Sequence, residues 1–221
     1  MEEGRFKTAF FDLDGTLADN YDAITACVGE AVAPLGFERP SREKIMRTVG
    51  GSILLTLQKL VGPELAPAAA QTYMERIDEF VFLGLKPMPF AAELLGALKA
   101  RGIRAACLTN KSQKSADDIM EKLGMGEFLE CVIGTSLTGP RKPQPEFTKA
   151  ALARMGADAA SSILVGDSPY DYDAAQAGRM ACALVATGGD TAEELAARCP
   201  RAEGIYSDLR ALALGAFSIA L

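Results

Sequence analysis

Histidine is absent from the chain. Imidazole is the side chain that titrates nearest neutral pH and the commonest metal ligand. Ser–His–Asp triads, histidine general bases and histidine-ligated zinc are therefore excluded. Cysteine is scarce and scattered: Cys27, Cys107, Cys131, Cys182 and Cys199 form an odd set without a CxxC pair. That pattern argues against a disulfide framework and a thiolate zinc site. Cys107, Cys131 and Cys182 fall in apolar, strand-like runs and read as buried free thiols of a reducing cytoplasm. There is no signal-peptide pattern, and no apolar run reaches the roughly 18–20 residues of a membrane span. Net positive charge is lacking too. A formal charge of −6 at pH 7 speaks against nucleic acid and anionic membrane as partners. No internal repeat or low-complexity segment appears. What remains is an ordinary globular composition of 221 residues, 49% hydrophobic, enough for one large domain or two unequal ones.

The spacing of apolar residues predicts a strand over Thr8–Leu13, then a helical block. Ile24, Cys27, Val28, Ala31, Val32 and Leu35 place a helix over Asn20–Leu35. Further helices are predicted near Ser41–Thr48, Ser52–Val61 and Pro67–Leu83, with no strand between about Ala18 and Lys86. After Pro89 the rhythm alternates. Helices are predicted over Ala91–Ala100, Ser112–Leu123, Pro145–Met155 and Tyr170–Ala177, and a capping box at Thr191 and Glu194 opens another. Strands are predicted over Ile103–Leu108, Cys131–Gly134, Ser162–Val165 and Ala181–Val185, with a last one at Ile205–Tyr206. Strands alternating with helices imply an α/β fold with a doubly wound parallel sheet. Ligands of such sheets sit at the carboxyl ends of the strands.

Those ends carry the chemistry. The first strand runs into Asp12-Leu13-Asp14-Gly15-Thr16. Two acids so close repel each other, which costs stability unless a cation lies between them. The next strand ends at Thr109-Asn110-Lys111, Lys142-Pro143 follows the third, and the fourth ends at Gly166-Asp167-Ser168 with Asp171 one helical turn on. On one edge of a parallel sheet these residues converge: several acids, a hydroxyl, an amide and a lysine.

With these four segments in this order, the chain resembles the haloacid dehalogenase superfamily over nearly its whole length. The resemblance implies a Rossmann-like core (1–17 and 88–221) and a second, smaller α-helical cap domain (18–87), hinged near Leu17–Asp19 and Lys86–Pro89. It implies that Asp12 is the nucleophile that becomes an aspartyl phosphate and that Asp14 is the acid and base. Mg²⁺ would be held by Asp12, the Asp14 backbone carbonyl and Asp167, with Asp171 binding metal waters or holding Lys142. It also implies that Thr109 and Asn110 hold phosphate oxygens and that Lys142 neutralises developing charge, with Lys111 and Arg141 as lesser rivals. The physical need is plain: like unit charges about 4 Å apart cost about 1 kcal/mol in water and about 4 kcal/mol at an effective dielectric near 20. Hard oxygen ligands and a divalent cation remove that barrier.

Within the superfamily, Asp14 excludes the dehalogenase branch, and Thr16 favours phosphatases over sugar-phosphate mutases, whose post-signature histidine is also missing. Asp19–Ile24, the cap stretch Arg47-Thr48-Val49-Gly50-Gly51 and Thr109-Asn110-Lys111 are most similar to phosphoglycolate phosphatases. On that likeness Thr16 belongs to the substrate site, and Arg47 and Gly50 contact the substrate's carboxylate. Gln144 departs from the relatives' pattern, which loosens the substrate but not the mechanism. The expectation is a Mg²⁺-dependent, cytoplasmic phosphomonoesterase acting on a small phosphorylated metabolite, as monomer or homodimer. The alternatives are a phosphotransferase or mutase and a receiver-like phosphoacceptor module.

Overall fold

The computed structural model describes residues 5–221. The apolar run before the acids forms β1 (Thr8–Phe11), which stops two residues short of the expected end. The reason is local. Leu13 O accepts the N–H groups of Thr16, Leu17 and Ala18, and Gly15 takes a φ of 84° that a side chain would disfavour. This tight loop lifts residues 12–14 off the sheet. A two-residue strand, β2 (Ala18–Asp19), leads into α1 (Tyr21–Val32), α2 (Arg42–Met46), α3 (Ile53–Val61) and α4 (Ala66–Phe80). The chain returns through β3 (Lys86–Pro87), antiparallel to β2. This small ribbon was not expected; it lies at the borders of the stretch read as strand-free. The predicted helix to Leu35 ends early at Val32 and continues as a 3-10 turn over Ala33–Leu35, because Pro34 has no N–H to extend the α ladder.

The rest of the chain alternates: α5 (Ala91–Ala100), β4 (Arg104–Ser112), α6 (Gln113–Lys122), β5 (Cys131–Thr135), α7 (Pro145–Met155), β6 (Ser162–Gly166), α8 (Pro169–Gly178), β7 (Ala181–Val185), α9 (Ala192–Arg198), β8 (Gly204–Tyr206) and α10 (Leu209–Phe217). The last helix was not anticipated, although Asp208 caps it on the N–H of Ala211 at 2.8 Å and Leu209, Leu212, Ala213 and Phe217 share a face. The main sheet is parallel, in the order β5-β4-β1-β6-β7-β8. The doubly wound α/β expectation is met. From β1 the chain steps outward to β4 and β5, then crosses back to β6 on the other side of β1. The winding reverses at β1, and a crevice opens at the carboxyl end of that strand.

Alternation on the strands builds two cores. Ala9, Phe11, Ala105, Cys107, Ile163 and Val165 face one side, against α5, α6 and α10. Phe10, Ala106, Leu108, Leu164, Cys182 and Leu184 face the other, against α7, α8 and α9. Phe10 and Phe11 have no exposed surface; each stabilises the sheet by roughly 1.5–3 kcal/mol through burial alone. A third core joins α1–α4 through residues such as Ile24, Val28, Leu57, Tyr73 and Ile77. No described helix is long and apolar enough to cross a membrane.

Candidate active site

The crevice at the end of β1 gathers residues from four strand ends. Asp12 is 4% exposed and Asp167 is also 4% exposed. Asp171 and Lys142 are buried completely, and the Lys142 ammonium lies 2.8 Å from Asp12 Oδ1 and 2.6 Å from Asp171 Oδ1. Asp171 Oδ2 accepts from the Ser168 hydroxyl at 2.7 Å and from the Ser168 N–H at 3.2 Å. Both Asp171 oxygens are thus committed, and the same contacts form a capping box that starts α8.

Asp12 Oδ1 also accepts the N–H of Leu13 at 2.7 Å, and Asp167 Oδ1 accepts from Thr16 Oγ1 at 3.3 Å. Oδ2 of Asp12 and Oδ2 of Asp167 have no hydrogen-bond donor among the described residues. Carboxylate oxygens of Asp12, Asp167 and Asp171 lie within 4.8 Å of one another. Burial, offset in part by Lys142 and reinforced by the charge of Asp171, pushes the Asp12 carboxyl up to about 7. Burial and the charges of Asp171 and Asp12 also push Asp167 well above the usual carboxylate range. The donor set is all oxygen, and one carboxylate oxygen from each of the three acids lies within 4.8 Å of the others, so the cluster fits a hard divalent cation.

The walls leave Asp167 little freedom. A Cβ at Gly188 would overlap Asp167 Oδ2, and one at Gly15 would stand 2.5 Å from it. Thr187 Oγ1 donates to Gly15 O at 2.6 Å, fastening the loop after β7 to the turn after β1. On the other flank, pairing of β4 with β5 is irregular between Leu108 and Ser112. This is why β4 runs past its expected end at Leu108, with Thr109, Asn110 and Lys111 in the break. Asn110 Oδ1 accepts the N–H of Lys142 at 2.7 Å, and its Nδ2 donates to Lys142 O at 3.1 Å and to Gly50 O at 3.4 Å. The asparagine therefore holds the lysine loop in register and touches the helical block. Lys111 Nζ lies 3.1 Å from Asp14 Oδ2.

A cavity opens above the carboxylates. Asp12, Asp14, Thr109, Asn110, Lys111 and Arg141 form its floor and rim, and the helical block supplies its roof, including Gly50, Gly51 and Tyr73.

The model of the haloacid dehalogenase-like hydrolase family matches residues 9–185. The chain belongs to that family. Within this haloacid dehalogenase-like family, a probable phosphatase, IndB, of Dickeya dadantii is 32% identical over 201 residues, covering 86% of each chain. A phosphoglycolate phosphatase of Rhodospirillum rubrum is 33% identical over 182 residues, 77% of this chain and 76% of the relative. A crystal structure of a haloacid dehalogenase-like hydrolase from Bacteroides fragilis superposes with a TM-score of 0.85 at 25% identity, covering 92% of this chain and 98% of that one.

Among the residues expected in the site of such a hydrolase, Asp12, Asp14, Thr109, Asn110, Lys142, Asp167 and Asp171 converge, and Gly50 lines the cavity. Two of the expected substrate residues, Thr16 and Arg47, are not in the cavity lining. The buried Thr16 hydroxyl donates to Asp167 Oδ1 at 3.3 Å, beside the carboxylate cluster rather than in the cavity lining. Arg47 does not face the cavity either; it pairs on the surface with Glu194 at 2.8 Å, drawn by the carboxylate of the α9 capping box. Four contributors were missed. Ser168 as an anchor for Asp171 was legible as a Ser-x-x-Asp pattern. Thr187 and Gly188 follow the end of β7 on the same sheet edge, and that topology was their only sign. The Lys111–Asp14 pair spans 97 positions and left no local trace.

Proposed function

We propose that the chain is a phosphatase of the phosphoglycolate phosphatase-like kind, a phosphoric monoester hydrolase that works through covalent phosphorylation of Asp12. One observation carries the reading: Asp12 stands at the mouth of the crevice with one oxygen held by Lys142 and the other free. The free Oδ2 attacks phosphorus, and the bond from phosphorus to the ester oxygen breaks. Asp14, at the rim, passes a proton to the departing alcohol oxygen and takes one from the water that next attacks phosphorus. That second attack breaks the phosphorus–Asp12 bond and returns the carboxylate. Lys142 is fixed by Asp171 and needs no reorganisation as charge develops on Asp12. Thr109 and the backbone of Asn110 line the floor where phosphate oxygens lie.

Asp12 and Asp167 would hold Mg²⁺ with the Asp14 carbonyl, and the cation would supply charge neutralisation between carboxylate and phosphate. Asp171 orients Lys142, since both its oxygens are already used. Residues 18–87 act as a cap that excludes bulk water, hinged at the β2–β3 ribbon. The scattered free thiols suit a cytoplasmic setting.

The test is phosphate release from small esters in Mg²⁺. Asp12→Asn removes the nucleophile and should abolish release while the circular dichroism spectrum is unchanged. Retained turnover in that variant would sink the mechanism.

A further inference from the structure

The part of the cavity that receives the alcohol half of the substrate has an unusual character for a site that hydrolyses an ester of a hydroxy acid. Its roof is mostly apolar: Ile24, Val49, Ile53, Met74 and Ile77 line it, with the polar Ser52, Thr56 and Tyr73 among them and Leu137 from the core beside them. No charged side chain of the helical block lines it. The block's arginines are spent elsewhere: Arg39 on Glu30, Arg42 on Asp19 and Asp22, Arg47 on Glu194, Arg76 on Glu30 and Glu79.

The core adds two cations to the rim, Lys111 and Arg141, and among the described residues only Lys111 has a carboxylate partner. Lys111 faces Asp14 at 3.1 Å. Arg141 Nη2 donates to Leu137 O at 2.6 Å and to Gly139 O at 3.1 Å. A carboxylate on the leaving group would lose its water against isoleucine, valine and methionine side chains. It would also face Asp12 and Asp14, and the one cation of the lining without a carboxylate partner among the described residues is Arg141, tied by Nη2 to the Leu137 and Gly139 carbonyls. Burying an unpaired charge is strongly unfavourable, whereas each methylene placed against such a wall gains free energy.

Building on the phosphatase reading above, we infer that the preferred substrate is a phosphate monoester of an alcohol with an uncharged, apolar body. Val49, Ile53 and Met74 are the selecting side chains, since each is only partly buried and each lines the cavity. The phosphate end lies over Asp12 beside Thr109 and the Asn110 backbone, and the apolar end lies under α3 and α4. One extra methylene in an apolar pocket changes kcat/KM by roughly 10-fold or more, so chain length is a sensitive reporter.

The experiment compares kcat/KM of the full chain in Mg²⁺ for n-hexyl phosphate, glycerol 2-phosphate and phosphoglycolate. The expected result is n-hexyl phosphate ahead of phosphoglycolate by at least about tenfold, with glycerol 2-phosphate between them. A smaller ratio, or phosphoglycolate in front, overturns the inference and leaves the phosphatase reading intact. Absence of phosphate release from every ester overturns both. Met74→Lys and, separately, Ile53→Lys place an ammonium on the roof. Either should lower the ratio of n-hexyl phosphate to phosphoglycolate by at least about tenfold; a folded variant with an unchanged ratio counts against the roof as the selector.

Discussion

Lys142 Nζ lies 2.6 Å from Asp171 Oδ1, and neither side chain has any exposure to solvent. Such a pair is costly to assemble but far more costly to break, because the remaining charge has neither water nor partner. Asp171 holds the lysine so that its second contact, Asp12, is fixed before any substrate arrives. Lys142→Met should therefore destabilise the fold by about 3–5 kcal/mol and reduce turnover by at least about 100-fold. Lys142→Met/Asp171→Leu removes the stranded charge on Asp171 as well. It should regain part of the stability and none of the turnover, read by urea unfolding alongside phosphate release. Equal stability of the two variants would show that Asp171 carries no unpaired charge in the single one.

Much of this arrangement was legible from the chain, and the limits of legibility are physical. Period-two alternation in Ala9-Phe10-Phe11 and Ile163-Leu164-Val165 places side chains on both faces of a sheet, which requires helices on both sides. The acids at 12, 14 and 167 follow these runs directly, so the fold dictates that they meet on one edge. Lys142 follows the same logic at a greater distance, through the loop after β5. What stayed hidden depends on the choice among partners brought together by folding. Arg47 and Lys111 are both cations near the ends of elements, and spacing gives them similar claims on a substrate. Glu194, far along the chain, takes Arg47 to the surface, and Asp14 takes Lys111 to the rim. Thr16 is turned by the loop at Gly15 onto Asp167, a partner that local spacing does not reveal.

Gly188 has a role set by space alone. A methyl group there would overlap Asp167 Oδ2, and the carboxylate cannot retreat because Thr16 and Gly15 crowd its other side. Gly188→Ala should keep the fold, since the residue lies in the loop after β7. Displacing a metal ligand typically weakens metal affinity by about 10–100-fold. The expected outcome is a Mg²⁺ activation curve shifted to higher concentration by that factor, with turnover partly recovered at saturating Mg²⁺. An unshifted curve would remove Asp167 from the cation site.

The carboxylate cluster also sets a pH dependence of stability. Asp12 rises from 3.8 to about 7 on folding, and Asp167 is raised in the same sense. Between those values the folded chain binds more protons than the unfolded one, so stability falls as pH rises through that window. The contribution is fully present below about pH 4 and is lost by about pH 7 and above. Mg²⁺, held as proposed by the ionised carboxylates, would act in the opposite direction. The melting temperature in EDTA should accordingly decline from pH 5 to pH 8 by more than in Asp12→Asn. The gain on adding Mg²⁺ should be larger at pH 8 than at pH 5. At one hundred times the dissociation constant that gain corresponds to about 2.7 kcal/mol. A Mg²⁺ effect that is independent of pH would separate the cation from these acids.

Arg47 is the position where two readings of the chain give opposite results. As a ligand for a substrate carboxylate, it would raise KM steeply when removed. In the structure it bridges the end of α2 to Glu194, the residue that also accepts the N–H of Thr191 at the start of α9. Both partners are about half exposed, and exposed pairs contribute about 0–1 kcal/mol. Glu194 loses little when unpaired, because the helix N-terminus still stabilises its charge. Arg47→Ala should therefore leave stability within about 1 kcal/mol of the parent and KM within about threefold, since less than about 0.7 kcal/mol is at stake. Steady-state kinetics on the esters above decides it. A rise in KM confined to phosphoglycolate would return Arg47 to the binding site.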